Sequence, residues 1–230
     1  MKNVLTVMQK EAALVLHSRQ LILSAVMITI VFSATAAPAV LETGDSRFEA
    51  MMIMILTVIG VFMGYIFSAE VFLREKKEGT IETLLCTPLS LREIWAGKVA
   101  GIALPAWLFT LAAAGIMSGG ASALAGAPVL PSGPVVLHAL VAVPALTAVA
   151  VGLLGFVQLL LGMRENQIIN MAVIFCVIFS FSLIAGLTES GLAVTWETEG
   201  VVIAASALLL LLVGWATRYL DRERIVTTIP

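Results

Sequence analysis

The chain has 230 residues, 60% of them hydrophobic and 12% charged, with a formal net charge of −2. A soluble domain is nearer half apolar with about a quarter of its residues charged, so this composition excludes an ordinary soluble enzyme and indicates an integral membrane protein. Nothing in the charge balance calls for a nucleic-acid partner, and none is expected. Cys86 and Cys176, the two cysteines, are not expected to form a disulfide.

Residues 2–20 read as an amphipathic helix, with Val4, Met8, Ala12 and Val15 along one stripe and Asn3, Thr6, Lys10 and His17 on another. Such a helix lies in the membrane interface, the plain alternative being an extension of the first span. His17 has no partner at ligand spacing and reads as an interfacial side chain. Apolar windows follow at about 21–41, 50–69, 99–117, 135–161, 168–187 and 201–219. A helix needs roughly 17 to 25 residues to cross the hydrocarbon, so six spans are expected in an all-α fold of one membrane domain over residues 1–230. Lys2, Lys10, the run from Leu21 and the small residues 33–37 also fit a signal peptide, but the long helical lead favours an uncleaved N-terminus.

The connections differ in kind. Residues 42–49 read as a short polar turn, 118–134 as a Gly-, Ala-, Ser- and Pro-rich loop that is not a regular helix, and 162–167 as a tight turn. Residues 188–200 read as an external segment, with Trp196 suited to the aromatic belt. Of the 13 Lys and Arg residues, only Arg47 falls on the face that also carries Glu42, Asp45, Glu49, Glu189, Glu197 and Glu199. That bias predicts a multi-pass protein of the cytoplasmic membrane with both termini in the cytoplasm.

The densest concentration of charge lies between the second and third windows, in residues 70–98. Residues 74–86 read as a short helix with Ile81, Leu84 and Leu85 on one face and Glu75, Glu78 and Glu82 on another. Gly79 inside it costs about 1 kcal/mol relative to alanine and marks either a close backbone approach or a kink. Thr87-Pro88 stops this helix, and Ser90-Leu-Arg-Glu93 starts the next as a serine N-cap with glutamate at N3, running through Ile94, Trp95 and Lys98 into the third span. A helix mounted rigidly between two spans can pass motion from a cytosolic partner into the membrane.

The run from Arg74 to Leu85, followed by Thr87-Pro88-Leu89-Ser90, Glu93-Ile94 and Gly97-Lys98, resembles the signature between the second and third spans of ABC-2 type transporter permeases, closest to the gliding-motility and sodium-exporter-like subgroup. Arg164-Glu165-Asn166-Gln167-Ile168 is similar to the turn those proteins have before their fifth span. The resemblance implies a permease that dimerises, exports an unassigned cargo and is driven by two copies of a separate ATP-binding cassette ATPase. It also implies that Glu75, Glu78, Gly79, Ile81, Glu82, Leu84 and Leu85 meet that ATPase through a coupling helix, that residues 2–20 form an interfacial connecting helix, and that residues 188–200 form an external re-entrant region. The chain has no G-x-x-x-x-G-K-[ST] sequence, so ATP and magnesium would sit on the partner and no cofactor or metal is expected here.

No Asp, Glu, Lys or Arg stands in the middle of an apolar window, which favours an external energy source over ion coupling. Gln158 and Asn170 line a passage or bond between helices. Gly60-x-x-x-Gly64, Gly97-x-x-x-Gly101 and Gly115-x-x-x-Gly119 fit close helix contact, within the chain or between copies. Two rival readings are a membrane anchor for a cytosolic complex and an intramembrane serine protease using Ser122 and His138, the latter opposed by the lack of an acidic residue to orient the histidine. Catalysis on this chain is not expected.

Overall fold

The computed structural model describes residues 2–36, 38, 45–80, 87–161, 168, 171–172 and 195–219. Among these there is no strand. The helices are α1 (Lys2–His17), α2 (Arg19–Ala36), α3 (Asp45–Ser68), α4 (Arg74–Lys77), α5 (Leu91–Ala125), α6 (Gly133–Leu137), α7 (Val143–Leu160) and α8 (Trp196–Ala216). Two π turns fuse neighbours into longer rods: Ala69–Leu73 joins α3 to α4, and His138–Ala142 joins α6 to α7. Five helical rods among the described residues, 18 to 35 residues long, are long and apolar enough to cross a bilayer. The chain is thus a multi-pass membrane protein. The expected span at 168–187 and the turn at 162–167 lie almost wholly outside the described residues.

The first helix is separate from the first span. It breaks at Ser18, whose amide donates to Val15 O and whose carbonyl accepts from Ile22 N. Its buried stripe is Val7, Glu11, Ala12 and Val15, turned somewhat from the expected Val4, Met8, Ala12 and Val15, because α1 lies against the base of α5. A Cβ on Gly97 would come within 2.6 Å of Val7, and one on Gly101 within 2.8 Å of Glu11, so both glycines admit α1 at close range.

α5 starts at the expected capping box: Ser90 Oγ accepts from Glu93 N, and Glu93 Oε2 accepts from Ser90 N at 3.0 Å. Its other end corrects the sequence reading. The helix continues through the stretch expected to be irregular as far as Ala125, and stops at Gly126, whose φ of 68° is left-handed. Alanine is the strongest helix former, Met117 and Ala121 are buried against the core, and the left-handed glycine gives a firmer stop than the earlier glycines do. α3 likewise begins earlier than expected, at Asp45, because Phe48 is buried and draws the supposed turn into the helix. α3 packs against both α5 and α7. Along its α7-facing side, a Cβ at Gly60 would stand 2.6 Å from Val143, and one at Gly64 would stand 2.8 Å from Val151. Two of the three glycine pairs therefore serve contacts within the chain, whereas the Cβ positions of Gly115 and Gly119 have no atom within 4 Å.

Candidate functional site

Where α1, α4 and the base of α5 meet, four charged side chains close a ring of alternating sign. Lys98 Nζ lies 3.1 Å from Glu11 Oε1 and 2.7 Å from Glu75 Oε2, and Lys10 Nζ lies 3.3 Å from Glu11 Oε1 and 3.4 Å from Glu75 Oε1. The Lys98 ammonium also donates to Val71 O and sits 5.4 Å from the centre of the Phe72 ring. Side-chain exposure is 1% for Lys98, 0% for Glu11 and 12% for Glu75. Withdrawing a charge from water costs several kcal/mol even after relaxation, so these groups are tolerable only as a set in which each faces the opposite sign. Burial alone would lower the Lys10 ammonium, but the Glu11 and Glu75 carboxylates outweigh it and hold it above the ordinary lysine value. Asn3 Nδ2 donates to Glu93 Oε1 at 3.2 Å and adds a further tie between α1 and α5.

The ring revises the expected division of labour in the charged stretch. Glu75, expected to face a partner, is turned inward and paired within the chain. Glu78 faces outward, with its side chain 54% exposed and Arg74 3.5 Å away. The helix expected over 74–86 ends at Lys77, and Gly79 takes a φ of 70° with open space where a Cβ would be. A left-handed glycine two residues past the last helical turn is the usual way to stop a helix, so Gly79 is a turn and not a strained helical residue. Ile81, Glu82, Leu84 and Leu85 lie outside the described residues.

Between the spans, Ser68 Oγ donates to Gln158 Oε1 at 3.2 Å, so this buried glutamine links the end of α3 to α7. Asn170 lies outside the described residues. Trp95 Nε1 donates to Gly152 O at 3.1 Å, with its ring over the bare glycine face. Ser122 donates to Ser118 O and accepts from Val129 N, a local lock on the end of α5.

Besides Glu11, two charged groups that sequence reasoning did not mark as interior are buried. Lys98 is one. The signal for it was the glycine pair around it, which announces a close neighbour without saying which helix supplies it. Glu199 is the other: it lies in the first turns of α8, which starts at a capping box between Thr195 and Thr198, and its Oε2 is 2.8 Å from His138 Nδ1. His138 therefore does have an acidic partner, contrary to the expectation, while its Nε2 meets Thr57 Oγ1 at 2.8 Å. Both of its nitrogens are engaged away from Ser122. No protein-family model and no curated protein matches the chain.

Proposed function

We propose that the chain is the membrane-spanning permease subunit of an ABC-type exporter, worked by a separate ATPase that docks on the segment from Glu78 to Leu85. The observation that supports this reading is the charged ring. It ties α1, α4 and α5 into one stiff unit at the point where the chain leaves the second span and re-enters the third. A push delivered just beyond Gly79 would then shift three helices together instead of deforming a loop. Glu78 supplies an outward-facing carboxylate beside that turn, and Ile81, Glu82, Leu84 and Leu85 are the further contacts this reading assigns to the ATPase. The basic bias of the sequence puts this end of the bundle in the cytoplasm. Two copies of the chain, each with its ATPase, would form the working assembly.

The test is purification from the native membrane in mild detergent. An ATP-hydrolysing subunit should accompany the wild-type chain, and the double substitution Glu78→Lys, Glu82→Lys should release it or uncouple its hydrolysis while the chain stays in the membrane. Unchanged complex formation and coupled hydrolysis in that variant, or a wild-type chain that purifies without any ATPase, would reject the proposal.

A further inference from the structure

A second buried ionisable pair lies at the opposite end of the bundle from the ring, and the coupling scheme makes no use of it. His138 is 3% exposed and Glu199 4% exposed. Their contact joins the π turn between α6 and α7 to the first turns of α8, and Thr57 extends it to α3, donating to Ile53 O at 2.9 Å.

The hydrogen bonds fit a protonated ring. Both N–H groups of an imidazolium then donate, one to the Glu199 carboxylate and one to the Thr57 hydroxyl, whose own proton goes on to Ile53 O. Every donor has an acceptor, and the buried carboxylate faces a cation. With a neutral ring whose Nδ1–H still meets Glu199, Nε2 must draw the Thr57 proton away from Ile53 O, and the carboxylate is left buried without a counter-charge. No other described group replaces the histidine. On α3, Glu49 is itself an anion and accepts from Ser132 N at 2.9 Å, Asp45 and Arg47 lie about three turns before Thr57, and Tyr65 lies two turns beyond it. On α8, Glu197 is exposed. α6 and α7 carry no charged residue, and those of α5, Arg92, Glu93 and Lys98, stand in its first eight residues, whereas Trp107 is the residue that reaches Ala139 O.

We propose that His138 is a proton-binding site that governs the attachment of the last span: when protonated it fastens the Trp196 end of α8 to α3 and α7 through Glu199 and Thr57, and when neutral it loosens that end. The attachment is strongest while His138 carries its proton and Glu199 is ionised, and it weakens when rising pH removes that proton. Charge-assisted hydrogen bonds are roughly twice as strong as neutral ones, so the two states should differ about tenfold in how often the end of α8 opens. On the orientation proposed above, the proton arrives from the outer face; the site itself does not depend on that reading.

The chain has two histidines, so a His17→Gln variant in lipid nanodiscs leaves His138 as its single imidazole. Nitrogen-15 imidazole NMR from pH 5 to 9 should show His138 titrating. Amide hydrogen exchange over residues 196–206, corrected for intrinsic rates, should lose about tenfold of its protection across the same interval. Adding Glu199→Gln should abolish the change in protection. Thr57→Val, which leaves one N–H of the imidazolium unpaired, should lower the protection of residues 196–206 at the acid end of the range. A histidine that keeps one protonation state throughout, a change of protonation without change in α8, or a response that survives Glu199→Gln would each overturn the proposal, as would undiminished protection at the acid end in Thr57→Val.

Discussion

Replacing Lys98 with methionine removes the ammonium while keeping most of the side-chain length, and its cost follows from the ring. At about 3 Å and an effective dielectric near 20, each Lys98–carboxylate pair contributes on the order of 5 kcal/mol of attraction, set against a desolvation penalty of several kcal/mol per ion. The small net worth of the pairs is not what the substitution exposes. Glu11 stays fully buried, and its Oε2 has no hydrogen-bond partner among the described residues. One half-exposed lysine, Lys10, must then answer two carboxylates. Breaking a buried pair from one side costs about 3–5 kcal/mol, and that is the loss expected for Lys98→Met. The triple variant Glu11→Gln, Glu75→Gln, Lys98→Met leaves no inner charge unanswered and should recover most of it. Unfolding by dodecyl sulfate titration in mixed micelles, followed by circular dichroism, gives both values. A Lys98→Met loss below about 1 kcal/mol, or a triple variant less stable than the single one, would refute the idea that α1, α4 and α5 are held together by mutual charge compensation.

Ser90→Ala should cost about 1 kcal/mol in the same titration through loss of the cap on α5, and Ser90→Thr much less. Gly60→Leu, which drives a side chain into Val143 and Thr147, should destabilise by about 1–3 kcal/mol or more, whereas Gly115→Leu, with nothing within 4 Å of its Cβ, should stay near wild type; equal effects would contradict the packing described. Because Lys10 is held above its ordinary value of 10.5, its contribution is complete below that pH and disappears as pH rises through the higher folded value. A dye on Gln9→Cys should therefore report detachment of α1 in an alkaline step above about pH 10.5 that Lys10→Met lacks.

The sequence by itself determined the five described apolar rods, because an apolar window long enough to span hydrocarbon has few alternatives, and it determined the start of α5, because a capping box is satisfied by residues three apart. The separate N-terminal helix was legible for the same reason: its pattern is local. Element ends were less so. Gly126 and Gly79 stop their helices by adopting left-handed backbone, whereas Gly115 and Gly119 pass through α5 as ordinary helical residues, and composition does not tell these uses apart. What only the tertiary structure decided is which charges are inside. Lys98, Glu11 and Glu199 all look like surface residues in a one-dimensional reading, since each stands outside the middle of an apolar window, where water is the default partner. They are buried because helices distant in the chain bring a partner within reach: Glu11 is 87 residues from Lys98, and His138 is 61 from Glu199. An ion enters a low-dielectric interior only when its counter-charge enters with it, and that partner is chosen by helix packing.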